Sequence, residues 1–87
     1  MGRISKTDRE WAWDQASKIR GENPNLWRRD EMGNPIYKPA YGMGGETGWE
    51  IDHRNPVSEG GTDHRRNLRV LHTETNELHG RRPRKRG

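Results

Sequence analysis

The chain has 87 residues, of which 25% are hydrophobic and 34% charged, with no cysteine and no phenylalanine. That length allows one domain, excludes any disulfide or cysteine-ligated zinc site, and leaves a thin core whose large pieces are four tryptophans (Trp11, Trp13, Trp27, Trp49) and two tyrosines (Tyr37, Tyr41). The net charge of +4 belongs to the tail, because Gly80 to Gly87 carries five cations and no anion, whereas residues 1–79 hold twelve Lys/Arg against thirteen Asp/Glu.

Domains this small bury only ~60% of their unfolded surface, so they commonly recruit a staple or a partner. No apolar run approaches the ~20 residues of a membrane span and no signal-peptide pattern opens the chain, so a soluble cytoplasmic protein without membrane contact is expected. Thr7-Asp8-Arg9-Glu10 fits a capping box. Ala12, Ala16 and Ile19 then recur at helical spacing up to Gly21, which predicts an amphipathic helix over residues 8–20. Asn23-Pro24-Asn25 reads as a loop. Trp27-Arg28-Arg29 and Pro35-Ile36-Tyr37 read as short extended pieces about a turn at Met32-Gly33-Asn34, and Tyr41 to Gly45 as flexible loop.

The second half is more legible. Gly48 to His53 alternates Trp49 and Ile51 with Glu50 and Asp52, the pattern of a half-buried strand, and Asn55-Pro56 breaks it. Residues 57–66 form a polar loop with a Gly60-Gly61 turn, and Asn67 to Leu71 a second short strand. Thr73 is a candidate cap for a final helix running to about His79, with Gly80 at its C′ position. The order is β-loop-β-α.

This segment also carries the chemistry. Asp52 stands beside His53, followed by Pro56, Gly60-Gly61, Asn67-Leu68, Leu71, Asn76 and Gly80. A neutral imidazole takes a proton from water near neutral pH, and a carboxylate binds a hard cation, so the set suits metal-assisted hydrolysis of a phosphodiester. In order and approximate spacing these residues resemble the HNH nuclease motif, the ββα-metal fold. Trp27-Arg28-Arg29-Asp30, Gly33-Asn34-Pro35-Ile36 and Tyr41-Gly42 resemble the lead-in of small cysteine-free HNH proteins.

The resemblance implies an α+β domain over residues 1–80 with an N-terminal helix, its core motif at 48–80, and a basic tail at 81–87. It implies a DNA endonuclease leaving 5′-phosphate and 3′-hydroxyl ends. His53 is then the general base, and Asn67 completes the catalytic set by holding the loop after His53 rather than by touching substrate. Asp52 and Asn76 are the metal ligands, with His79 as a further candidate ligand, a phosphate contact, or a residue favoured by the helix dipole. Mg2+ is the expected ion, with Mn2+, Ni2+ or Zn2+ as alternatives that a histidine ligand would favour. His72 stands where many members place a zinc-binding cysteine and reads as a packing or surface residue; His64 reads as solvated or as a minor phosphate contact. Arg54, Arg65, Arg66, Arg69, Arg81, Arg82, Arg84, Lys85 and Arg86 are candidate phosphate contacts, which raise affinity without reading sequence. The expected partner is DNA, met by the chain alone or within a larger phage or mobile-element complex. A non-catalytic nucleic-acid-binding module and a partner-dependent nuclease subunit stand as alternatives.

Adjacent residues of a regular strand point to opposite faces, so Asp52 and His53 can serve one phosphate only if the strand ends or bends there. Asn55-Pro56 makes such an end the expectation.

Overall fold

The computed structural model describes residues 4–75, so Asn76, His79 and the basic tail lie outside the described residues. The domain is a small mixed helix-and-sheet structure with two antiparallel sheets. Helix α1 runs from Lys6 to Gln15, not over residues 8–20. Its cap is Ser5, whose hydroxyl accepts from the Asp8 amide at 3.1 Å, and Thr7 of the anticipated capping box lies inside the helix.

The helix ends early because a side chain takes over carbonyls at its end. The Arg28 guanidinium, only 5% exposed, donates from Nη1 to Asp14 O at 3.1 Å and to Ala16 O at 3.0 Å, and from Nε to Pro24 O at 2.8 Å. Helix C-termini leave their final carbonyls unsatisfied, and Arg28 donates to two of those here. Released from the helix, Ala16 turns extended and Ser17–Lys18 becomes strand β1.

β1 pairs antiparallel with β2 (Trp27–Arg29), and β2 with β3 (Pro35–Tyr37), in the spatial order β1-β2-β3. The two extended pieces therefore form a hairpin about the expected turn, where Gly33 takes φ +88°. Trp27 and Tyr37 pair directly across it, with ring centroids 4.8 Å apart. A 3-10 turn (Lys38–Ala40) then leads to β4 (Trp49–His53), which pairs antiparallel with β5 (Leu68–His72) in a second sheet. Residues 73–75 are helical. Thr73 is the first of them, and its hydroxyl donates to Met43 O at 2.7 Å.

One face of the second sheet closes the core. Leu68 and Val70 of β5 and Trp49 of β4 pack with Ala12 and Trp13 of α1, Ile36 of β3 and Ala40. Of the six large aromatics only Trp13 and Trp49 are fully buried, with centroids 5.0 Å apart; Trp11, Trp27 and Tyr37 are half-buried and Tyr41 is exposed. Both buried indoles satisfy their N–H on backbone carbonyls, Trp13 on Pro24 at 3.0 Å and Trp49 on Tyr37 at 2.9 Å. Among the described residues no helix is long and apolar enough to cross a membrane.

The two sheets are joined by the Asp30 carboxylate, 3% exposed, at the β2–β3 turn. Oδ1 accepts from the amides of Met32 at 2.9 Å and Asn34 at 2.8 Å, and Oδ2 from the His72 amide at 2.8 Å. Buried donors left without partners cost ~1–3 kcal/mol each. Asp30→Ala is therefore expected to lower the unfolding free energy by about 2–4 kcal/mol in urea titration, and a loss below ~0.5 kcal/mol would show that Asp30 does not join the sheets.

Candidate active site

The β4–β5 ladder fixes Asp52 opposite Arg69 and His53 opposite Leu68. Because side chains alternate across the pleat, Asp52 shares its face with Glu50, Arg69 and Leu71, while His53 shares the other with Trp49, Ile51, Leu68 and Val70. His53 is the last residue of β4, and beyond it the Arg54 amide still donates to Asn67 O at 2.8 Å before the chain leaves the sheet. The strand end thus falls where Asn55-Pro56 predicts it. The structure nevertheless gives Asp52 and His53 different partners.

His53 Nε2 lies 2.7 Å from Asp63 Oδ1, in the loop between the strands. A carboxylate accepts, so Nε2 donates in this contact; in the neutral ring Nδ1 then carries the lone pair, and it makes no hydrogen bond to any described residue. The ring is about one quarter exposed, enough for a water or an anion to reach it. Asp63 was not among the sequence candidates. Its place two residues after Gly61 was the available signal, since a loop returning to β5 must pass the end of β4.

Asn67 holds that loop. Its Oδ1 accepts from the Asn55 amide at 2.9 Å, and its Nδ2 donates to Asn55 O at 3.0 Å and Thr62 O at 2.7 Å. One amide side chain thereby ties both ends of residues 55–62 to the start of β5. The two glycines act differently. Gly60 adopts φ +95°, and a Cβ at Gly61 would fall 1.7 Å from Asn55 O, the same carbonyl that Asn67 binds. The loop that presents Asp63 is therefore closed by an asparagine clamp and by a backbone approach that only glycine allows.

Asp52 faces a different environment. Its Oδ2 accepts from Arg69 Nε at 2.9 Å, and Arg69 Nη1 reaches Glu31 Oε1 at 3.2 Å. Arg54 Nη2 pairs with the other oxygen of Glu31. Burial works against the Arg69 charge, but hydrogen bonds and attraction from Asp52 and Glu31 outweigh it and hold its pKa above the ordinary arginine value. Asp52 thus already holds a cation on one oxygen, and Oδ1 has no partner among the described residues. A carboxylate with a free hard oxygen suits a hard divalent cation such as Mg2+. Its expected co-ligands Asn76 and His79 lie outside the described residues.

The remaining candidates divide. Arg65 is engaged by Asp8, Nη2 to Oδ1 at 2.9 Å, and lies over the Trp11 ring at 5.5 Å. Arg66 is exposed and makes no ion pair with a described residue. His72 is buried, its ring donating from Nε2 to Glu46 O at 2.7 Å, which makes it a packing residue. His64 is exposed and uses Nδ1 to accept from the Arg66 amide at 3.2 Å, capping the 3-10 turn Arg65–Asn67.

Asn67→Asp is nearly isosteric but replaces the donating amide by an oxygen facing two carbonyls. It should cost about 1–3 kcal/mol in urea unfolding and raise amide exchange across residues 55–62; unchanged exchange there would rule out the clamp. Compared with family models, with curated proteins and with solved structures, the chain matches none.

Proposed function

We propose that this protein is a metal-dependent HNH endonuclease that hydrolyses phosphodiester bonds in DNA, with a ββα-metal core formed by β4, β5 and the helix that begins at residue 73. The observation that carries the reading is the His53–Asp63 pair at the end of β4, held by the Asn67 clamp on the loop between the strands. A histidine with one nitrogen fixed by a carboxylate and the other open is arranged as a general base.

In this reading His53 Nδ1 removes a proton from a water molecule. The water oxygen bonds to phosphorus as the P–O3′ bond breaks; the 3′ oxygen leaves with the bonding pair and takes a proton from solvent water, giving 5′-phosphate and 3′-hydroxyl ends. Asp63 accepts from Nε2–H throughout, so it keeps the ring in the useful tautomer and faces the imidazolium that forms. Asn67 acts at one remove, because the loop it closes carries Asp63. Asp52, with Asn76 and His79 as further candidate ligands, would hold the divalent cation, which when bound supplies positive charge against the phosphoryl and leaving oxygens. Arg66, which makes no ion pair with a described residue, is a candidate contact for the DNA backbone, as are Arg81 to Arg86, which lie outside the described residues.

A supercoiled-plasmid assay tests the proposal, with EDTA and with Mg2+, Mn2+, Ni2+ and Zn2+ in turn. Wild type is expected to nick only with a divalent ion, and His53→Ala to lose ~10²-fold or more. Asp63→Ala should lower kcat by roughly tenfold to a hundredfold with little change in KM, and Asp63→Glu should restore part of it. Salt-sensitive plasmid binding without cleavage in any metal would replace this reading by the binding module or the partner-dependent subunit. For the ligand assignment, Asp52→Ala should lose Mn2+ affinity by calorimetry, and equal binding would remove Asp52 from the metal site.

A further inference from the structure

Two arginines of the second hairpin converge on a carboxylate that comes from another element. Arg54, just past β4, and Arg69, on β5, each take one oxygen of Glu31. Glu31 follows Asp30 in the β2–β3 turn, which Asp30 fixes to the edge of β5. The pair borders a cavity of about 180 Å³, whose other walls include Arg29, Ala12 and Val70.

Two guanidiniums sharing the two oxygens of one anion is the arrangement that grips the two non-bridging oxygens of a phosphodiester. We propose that Arg54 and Arg69 form a fork for a backbone phosphate of a nucleic acid, and that Glu31 occupies this fork in the free protein as a built-in competitor. The proposal rests on the nuclease reading only for the identity of the ligand.

Three features fit displacement rather than a permanent structural pair. Arg54 and Glu31 are 46% and 36% exposed, so their ion pair is of the weak, salt-screened kind. Arg69 is anchored independently through Nε on Asp52, so its position survives the departure of Glu31. The β2–β3 turn is fixed by Asp30 and not by Glu31, so that side chain can swing out without loosening the fold. The fork adjoins Asp52, on the face of β4 opposite His53.

The test measures binding of the full chain to duplex DNA by fluorescence anisotropy in EDTA across a salt series, so that catalytic failure does not affect the readout. Glu31→Gln should bind roughly threefold to tenfold more tightly, with a salt dependence steeper by about one to two released ions. Glu22→Gln, which removes an exposed carboxylate outside any ion pair among the described residues, controls for net charge. In the Arg54→Gln/Arg69→Gln background the Glu31 effect should vanish; because Arg69 also serves Asp52, Arg54→Gln alone is the milder check and should remove about half of it. A gain equal to that of Glu22→Gln, or one that persists without the arginines, would overturn the proposal. A second arm follows the Arg54 and Arg69 Nε–H signals by NMR during titration with inorganic phosphate. Saturable shifts in Glu31→Gln and none in wild type are expected, and would stand even if the protein cuts no DNA. Phosphate binding without any gain for duplex DNA would overturn the nucleic-acid assignment.

Discussion

The hairpin that carries Asp52 and His53 is only two strands wide, and the outward edge of β5 presents backbone donors to its surroundings. At His72 the partner is a carboxylate: Asp30 accepts that amide and, with its other oxygen, two amides of its own turn. A charged acceptor buried among backbone donors is stable only while all of them are aimed at it. Asp30 thus holds the β2–β3 turn against β5, with Asn34 Nδ2 donating to Thr75 Oγ1 at 3.1 Å beside it, and the same turn brings Glu31 to Arg54 and Arg69.

Arg28 has the corresponding role two residues earlier, within β2. By taking the carbonyls of Asp14 and Ala16 it ends α1 and opens the chain into β1. A domain with so few apolar side chains thus organises itself around two buried ions of opposite sign, each satisfied by backbone rather than by the other. The small core, dominated by the Trp13–Trp49 contact, then only has to fill the space between α1 and the second sheet.

The candidate site is held in the same way, by polar side chains on backbone groups. Asn67 and Gly61 act on one carbonyl, that of Asn55, and between them define the loop that presents Asp63 to His53. On the opposite face of β4, Asp52, Arg69, Glu31 and Arg54 form an alternating chain of charge. Arg54 and Arg69 are thus paired with carboxylates from β4 and from the β2–β3 turn.

The two strands of the second sheet and the strand end at His53 were legible in the sequence because they depend on local pattern: alternation in Trp49 to Asp52, a Pro break at 56, and glycines where the backbone must turn or pass closely. The loop-holding position of Asn67 was legible through its motif. The helix boundary was not, since the Thr7 pattern is as good a cap as Ser5 and the stop at Gln15 depends on Arg28, twelve or more residues away from the two helix-end carbonyls it binds. Asp63 was missed for the same reason, because pairing with a residue ten positions earlier depends on how the intervening loop closes. The sequence by itself determined which chemical groups are present and which short segments are extended. Only the tertiary structure decided which carboxylate faces which cation, because ion pairs across separate elements depend on packing direction and burial, and neither is encoded in local spacing.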